Sequence, residues 1–413
     1  MWIAISIVGA ILAAVLKLYI SSGFNFKFID SYKKNFVQNF ENIKSYFATQ
    51  NTDTPVQQPE TNTDTDNEKE IQSSDVVTIN YTDLTKKFVQ ITEPMALNAA
   101  STARFEPYSG GVLCVIENSV VLYNKSGEVE WSIPIQLSSP VLKVKGPYIL
   151  LFEQHGKKVS LYEGDKQLFQ VETSEKILTG NISANGDCAL ITEKTHYKGA
   201  VLVYNKSGQE IFSRSFGKNS ALAVAISDSR RLCVSLLSNE NKVTSQIVFL
   251  NVDKTEEDAT LNYDDSVIFD LDFVGNTLYA FADNALISIT NNGKQNWKYE
   301  YSDKTLHKYS DNSSNSRLML FDASNSAELC IVTNSGKEKQ KIKEDIVPDF
   351  CDMCDKYVLY NGGRSLYLTK TDGEPLAKYV ATRDMKNAYF IDSENILVVY
   401  NSSIEFLKLE KES

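Results

Sequence analysis

The sequence predicts an all-β fold, a β-propeller of eight blades, from a repeated turn cassette, a regular repeat length and a spare strand before the first repeat. The cassette is Leu-Tyr-Asn-Lys-Ser-Gly-Glu-Val-Glu-Trp at 122–131, and a close copy stands at 203–212. Weaker copies follow at 289–297, 332–336 and 370–373. Asn, Asp and Gly accept positive φ, so each copy predicts a short hairpin loop between two strands.

The turn glycines set the repeat length. They are Gly127, Gly164, Gly208, Gly293, Gly336 and Gly373. The longest gap, from Gly208 to Gly293, holds a divergent unit with its turn at 251–254 and therefore counts as two repeats. The mean spacing is then about 41 residues. Four short strands and their loops fill roughly 40 residues, the length of a propeller blade. Seven blades remain the alternative, if the fourth unit at 221–262 is an insertion.

Strand patterns run from about residue 86 to the end, and the domain is assigned to 78–413. The last unit, from Asn387, ends one strand short. The run 87–91 has no hairpin partner of its own, so Phe88, Val89 and Ile91 are predicted to pair with 404–408. This pairing would complete the eighth blade from both ends of the chain and would leave no exposed edge at the closure.

An apolar run at 2–20 contains only Ser6 and Lys17 as polar residues. About 20 apolar residues span a bilayer, so residues 1–22 are predicted to be a single-pass transmembrane anchor that binds the membrane through 2–20. A cleaved signal peptide is one alternative, although no basic residue precedes the run. A buried helix is the other.

Two segments connect this anchor to the propeller. Residues 23–48 are predicted to form an amphipathic helix with one apolar stripe, comprising Ile29, Tyr32, Phe36, Phe40, Ile43 and Phe47. This helix either lies on the membrane, dimerises, or packs on the propeller. Residues 49–77 are rich in Thr, Asn, Gln, Asp, Glu and Pro and predict a disordered acidic linker.

Composition argues against some functions. The formal net charge is −11 and no basic-aromatic stripe occurs, so nucleic acid is not expected as a partner. Four of the six cysteines, Cys114, Cys188, Cys233 and Cys330, stand in apolar strand runs and are expected to pack as small hydrophobic residues.

The remaining candidates for chemistry are weak. Cys351 and Cys354 form the only CxxC, but a structural zinc needs a second ligand pair. Asp270 and Asp272 lie on a predicted innermost strand where they can face the channel. The acidic loops at 264–265 and 311–315 lack the ligand spacing and the glycine of a calcium-binding loop. The sequence therefore predicts no catalytic, cofactor-binding or metal-binding residue and no cofactor.

The turn and Trp pattern at 124–131 and 291–297 resembles the repeats of quinoprotein-type (PQQ-like) propellers and of the BamB lipoprotein propellers of outer-membrane assembly. With its anchor, the chain also looks like uncharacterised single-pass Firmicute membrane proteins that carry a propeller. The resemblance implies a non-catalytic scaffold at the cell envelope that binds a protein or envelope ligand on one propeller face. A quinone-dependent dehydrogenase-like or glycan-active enzyme is the alternative.

Two observations disagree about the side of the membrane on which the propeller lies. Lysines follow the apolar run at 27, 33, 34 and 44, and the positive-inside rule would then place the propeller in the cytoplasm. The resemblance implies an extracytoplasmic propeller, which is the expectation adopted.

Overall fold

The computed structural model describes residues 76–412 except 78, 83, 99, 101–102, 117, 239–241, 255–256, 303, 312 and 324–325. These residues form eight β-sheets, one for each blade. Blades 1 to 4 comprise β4 Arg104–Tyr108, β5 Gly111–Ile116, β6 Ser119–Tyr123 and β7 Val129–Pro134; β8 Pro140–Lys145, β9 Tyr148–Glu153, β10 Lys158–Glu163 and β11 Lys166–Glu172; β12 Ile177–Ile182, β13 Cys188–Thr192, β14 Ala200–Tyr204 and β15 Glu210–Ser215; β16 Ser220–Ile226, β17 Arg231–Ser238, β18 Thr244–Asn251 and β19 Glu257–Asp264.

Blades 5 to 8 follow the same plan, with extra strands from the N-terminal side. They comprise β20 Ile268–Val274, β21 Thr277–Ala282, β22 Ala285–Thr290 and β23 Gln295–Glu300; β24 Thr305–Ser310, β25 Ser316–Ala323, β26 Ser326–Thr333, β27 Glu338–Glu344 and β1 Val76–Val77; β28 Cys351–Cys354, β29 Tyr357–Gly362, β30 Ser365–Lys370 and β31 Pro375–Val380; β32 Asn387–Phe390, β33 Asn395–Val399, β34 Ser403–Lys411, β2 Lys86–Gln90 and β3 Met95–Ala96. The prediction of eight blades is confirmed. The seven-blade alternative is wrong, because β16 to β19 form a complete sheet rather than an insertion.

Each blade is an antiparallel meander whose first strand lies nearest the axis. First strands of neighbouring blades adjoin one another along the ring, and β32 of blade 8 returns to β4 of blade 1. The hydrophobic cores lie between successive blades. For example, Phe105 and Cys114 of blade 1 pack with Leu397 and Phe406 of blade 8. Because inner strands are covered on both faces, runs such as 149–152 are apolar at every position.

The turn glycines serve both the hairpin and the contact between blades. Gly127, Gly208, Gly293 and Gly336 all have φ between 78° and 82°. Each also lies against the preceding blade in the ring: a Cβ at Gly208 would stand 2.8 Å from Phe169, and one at Gly336 would stand 2.6 Å from Trp297 Cγ. The cassette therefore fixes both the turn and the distance between neighbouring blades.

We expect Gly336→Ala to destabilise the propeller more than Gly363→Ala does. Both glycines have positive φ, at 79° and 61°, so both substitutions carry backbone strain. Only the Gly336 methyl meets a neighbour, Trp297, whereas nothing lies within 4 Å of a Cβ at Gly363. Overpacking adds about 1–3 kcal/mol to the loss of unfolding free energy in Gly336→Ala, which urea denaturation measures. Equal losses of unfolding free energy in the two variants would mean that the added methyl group does not clash with Trp297.

The ring is closed by the strand predicted to close it. β2 pairs antiparallel with β34, with Phe88 opposite Leu409 and Val89 opposite Lys408. The Ile91 N–H donates to Phe406 O at 2.9 Å. The pairing with the last strand is confirmed, but the register differs: β2 pairs with 407–411 instead of the predicted 404–408, and Ile404 pairs with Met95 of β3. A salt bridge between Lys125 and Asp392, 2.5 Å long, further ties blade 1 to blade 8.

The chain reaches this strand along the rims of blades 6 and 7. β1 pairs in parallel with β27 of blade 6, although the sequence places Val76 and Val77 in the linker. Tyr81 then packs between blades 6 and 7, where its hydroxyl shares a 2.7 Å hydrogen bond with the Tyr360 hydroxyl. A two-residue strand has no periodicity, so the sequence could not predict it.

The predicted anchor (1–22), the amphipathic helix (23–48) and nearly all of the linker (49–77) lie outside the described residues. Within the described part of the chain, no helix is both long enough and apolar enough to cross a bilayer.

Candidate functional site

Charged side chains from the first strands of several blades, and from the residue after one such strand, converge on the axis. We call the set Glu106, Lys143, Lys145, Asp270, Asp272 and Asp311 the channel cluster; its members come from blades 1, 2, 5 and 6. Lys143 interacts electrostatically with Glu106, Asp270, Asp272 and Asp311, which places the group around one lysine. Strands separated by more than 100 residues therefore supply one site.

One side of the channel is bridged by direct bonds between non-adjacent blades. Lys145 of blade 2 donates to both carboxylate oxygens of Asp272 in blade 5, at 3.1 and 3.2 Å, and to Phe273 O at 3.1 Å. From blade 3, Asn181 Nδ2 donates to Leu271 O at 3.3 Å.

The intervening blade 4 permits these bridges because its first strand is small. β16 reads Ser-Ala-Leu-Ala-Val-Ala-Ile, and its residues after Ser220 are buried. Blades 3 and 5 can therefore approach one another in front of it. The protein's own side chains occupy this part of the axis.

Asp270 is held by a different set of contacts. The Tyr309 hydroxyl of blade 6 donates to its carboxylate, and the Leu271 N–H donates to Oδ1 at 3.0 Å. Burial raises the pKa of Asp270, while Lys143 and the Tyr309 hydroxyl oppose that rise.

Burial shifts the other carboxyl groups of the cluster further. It raises the pKa of Glu106 to about 7, with Lys143 opposing the shift and Asp311 adding to it. It also raises the pKa of Asp272 to about 6, with Lys145 opposing. Burial alone would lower the pKa of Lys143, but the surrounding carboxylates raise it above its ordinary value. The cluster therefore keeps its central lysine charged and takes up protons near neutral pH.

A neighbouring carboxylate has a structural role. Asp352 of blade 7 accepts hydrogen bonds from Ser310 Oγ of blade 6, at 2.8 Å, and from the Phe390 N–H of blade 8, at 2.9 Å. It joins three blades near the axis. Its hydrogen bonds therefore stabilise the ring.

The CxxC does not form a shared site. Cys351 packs with Met353 in the core between blades 6 and 7, whereas Cys354 packs against the core between blades 7 and 8. All six cysteines are free thiols, and the four in apolar strand runs are buried as expected. Among the described residues, no group of three or more His, Cys, Asp or Glu side chains has an arrangement suited to a metal ion.

The sequence identified only part of this site. Asp270 and Asp272 do lie at the channel, as their place on a first strand suggested. Glu106, Lys143 and Lys145 were missed. Their signal was a pair of charged residues, two positions apart, on the first strand of a blade. That signal becomes informative only once the strands are known to surround one axis.

The protein is therefore an eight-bladed β-propeller in which charged and polar side chains near the axis form hydrogen bonds between non-adjacent blades. The chain belongs to the family described as "Family of unknown function (DUF5711)", whose model matches residues 61–409. No curated protein matches the sequence.

Solved structures share the fold at low sequence identity. BamB from Moraxella catarrhalis is 12% identical with a TM-score of 0.52, over 78% of this chain and 97% of that chain. The C-terminal WD40 domain of Sif2 is 10% identical with a TM-score of 0.57, over 79% and 99%. The computationally designed Ika8 protein is 12% identical with a TM-score of 0.54, over 79% and 100%. These likenesses show the fold alone.

Proposed function

We propose that the protein is a non-catalytic scaffold, tethered to the cell membrane through residues 2–20, which binds a protein or envelope ligand on a loop face of its propeller. The bridging of the channel by Lys145 and Asp272 carries this proposal. A substrate site on the axis would need open space beside its reactive groups, whereas here a lysine and a carboxylate satisfy each other. The loop faces are left as the main binding surfaces.

The fold and its neighbours support an interaction role. Propellers present broad, rigid faces made of loops, and binding residues concentrate on loops that a rigid scaffold positions. The likeness to BamB and to a WD40 domain agrees with such a role. The extracytoplasmic side of the membrane is part of the proposal and rests on the resemblance of the whole chain to anchored envelope proteins.

The proposal is tested by affinity purification of the full-length chain from crosslinked membranes. We expect a protein partner that is retained with the full chain and is lost when loops on one propeller face are replaced. Control purifications carry replaced loops on the opposite face. A purified protein with quinone absorbance or a stoichiometric metal would overturn the scaffold and favour the enzyme alternative.

Removing residues 1–22 is expected to move the protein from the membrane to the soluble fraction, because the only long apolar run is lost. Deletion of 58–64 in the linker is the control and leaves the protein in the membrane fraction. Sedimentation of the truncated chain with membranes would contradict the anchor.

The proposed orientation is tested separately. A single cysteine placed within 51–75 is expected to react in intact cells with a thiol reagent that does not cross membranes. A cysteine that reacts only after cell lysis would place the propeller in the cytoplasm.

A further inference from the structure

The connections that follow the second and fourth strands of blades 2 and 3 form one continuous surface. They are 154–157, 173–176, 193–199 and 216–219. Successive strands of a blade run in opposite directions, so these connections lie on the face of the propeller opposite the cassette turns. We call the face that carries the cassette turns the cassette face.

Hydrogen bonds join each of these connections to the next one. The bonds are donated by Lys157 Nζ to Ser174 O at 2.5 Å, by the Glu193 N–H to Lys176 O at 2.9 Å, and by the Lys198 N–H to Phe216 O at 2.7 Å. Four connections from two blades are therefore held in fixed positions beside one another.

This surface is positively charged, although the chain as a whole is acidic. We call its exposed lysines, together with Tyr197, the lysine patch; the lysines are Lys157, Lys176, Lys194, Lys198 and Lys218. Against them the four connections contain two acidic residues, Glu175 and Glu193, which leaves a formal charge of +3 in a chain whose net charge is −11.

The protein itself neutralises little of this charge. Within the described part of the chain, Lys176, Lys194 and Lys198 form no ion pair. Glu175 is engaged elsewhere, because its Oε1 accepts a hydrogen bond from the Thr195 hydroxyl at 3.2 Å. The ammonium groups are therefore available to a partner.

The positive charge is local to blades 2 and 3. Connections on the same face at 265–267, 283–284 and 345–350 contain four aspartates and no lysine or arginine. Scattered exposed lysines are ordinary on a protein surface, whereas lysines collected on one side of a face that is otherwise acidic give it a direction. Such a field steers an oppositely charged partner to one place.

The patch also presents an aromatic ring. Tyr197 is 50% exposed and belongs to the connection 193–199, which has seven residues where the equivalent connections of blades 5 and 7 have two. The Tyr197 N–H donates to Lys194 O at 3.0 Å, and its ring lies beside Gly217. Tyrosine is enriched at protein interfaces, because it supplies a large contact area at a low cost in conformational entropy.

We propose that the lysine patch is the docking surface for an acidic segment of a partner protein, whose carboxylates pair with the lysines and whose apolar side chain packs on the Tyr197 ring. This inference rests on the proposed function, because it names the surface and the chemistry by which the scaffold holds its partner.

A protein segment suits the patch better than anionic lipid does. β1 pairs in parallel with β27, and β27 begins directly after the turn that contains Gly336. The described chain therefore enters blade 6 from the cassette face, so the proposed tether leaves on the side away from the patch. Glu175 and Glu193 would repel a uniformly anionic surface, whereas a protein segment can place its own polar groups opposite them.

The test uses the full-length protein in nanodiscs of phosphatidylcholine and a short fluorescein-labelled peptide of Glu residues with Leu at every third position. Fluorescence anisotropy measures the affinity. We expect this peptide to bind and its Gln counterpart not to bind. We also expect the affinity to fall as salt is added, because exposed charge pairs are screened.

A charge-reversed variant assigns the binding to the patch. Lys176→Glu, Lys194→Glu and Lys198→Glu combined are expected to weaken peptide binding at least about tenfold, because three exposed charge pairs are lost. Tyr197→Ser leaves the charge unchanged and is expected to weaken binding about fivefold through the lost ring contact. Unchanged affinity in both variants would overturn the docking surface.

The matched control reverses three exposed lysines in the cassette turns of blades 3, 4 and 5, at Lys206, Lys254 and Lys294. It changes the net charge by the same amount on the opposite face, so its affinity is expected to stay within about twofold of the wild type. A loss as large as that of the patch variant would mean that only net charge matters, and would overturn the proposal.

Two further results would overturn the acidic protein segment as the occupant. One is co-sedimentation of the nanodiscs with phosphatidylglycerol vesicles, lost in the patch variant, without binding of the peptide; the patch would then bind lipid. The other is a peptide that binds only after deletion of 51–70, since the chain's own acidic linker would then cover the patch. In either case the scaffold proposal is still tested separately, because the crosslinked partner can use another part of a loop face.

Discussion

Deletion of residues 86–92 is expected to destabilise the whole propeller, although it removes no loop of either face. The deletion takes away β2, so β34 loses its outer partner and exposes its edge. Phe88 packs on the core between blades 7 and 8 and meets the Tyr379 ring edge-on at 6.4 Å between ring centres. Loss of this burial and of the strand hydrogen bonds removes roughly 3–6 kcal/mol, a large part of a domain's net stability.

The melting temperature and the tendency to aggregate measure this effect. An exposed strand edge pairs readily with other chains, so the deleted protein should also aggregate at lower temperature. Deletion of the equally long segment 58–64, in the predicted linker, is the control and should change neither quantity. Equal melting temperatures for the two deletions would mean that closure depends on other contacts, such as the salt bridge between Lys125 and Asp392.

The turns were predictable from sequence because their chemistry is local. Asn124 shows this directly: its side-chain oxygen accepts hydrogen bonds from the Ser126 and Glu128 N–H groups, at 2.9 and 3.0 Å. Because the hydrogen bonds of the turn all lie within five residues, the same residue types recur in each copy. The repeat length follows from those signatures, whereas the blade number also needed the divergent unit at 221–262 and the spare strand at 87–91.

The channel cluster was not predictable in the same way, because its contacts are non-local. Lys145 and Asp272 are 127 residues apart, and only closure of the ring brings them together. On an isolated strand each would be expected to face solvent.

Raising the pH through the neutral range is expected to lower the stability of the propeller. The pKa of Glu106 is raised from 4.5 to about 7 in the folded chain, so the folded state holds a proton that the unfolded state has already released. The contribution of this proton to stability is therefore complete below about pH 4.5, decreases as the pH rises towards 7, and is lost above about pH 8. The pKa of Asp272, raised from 3.8 to about 6, adds a loss of the same sign at lower pH.

The variant Glu106→Gln tests the origin of this loss. A tenfold difference in proton affinity between the folded and unfolded states corresponds to about 1.4 kcal/mol, so Glu106 can account for no more than about 3 kcal/mol between pH 5 and pH 8. Urea denaturation across that range should show a shallower decline in Glu106→Gln, and at pH 8 the variant should be more stable than the wild type. Asp384→Asn is the control, because Arg364 lowers the pKa of that exposed carboxyl and leaves it ionised throughout. If Glu106→Gln declined as steeply as the wild type, the buried carboxyl would not be the cause, and a profile that rose with pH would reverse the predicted sign.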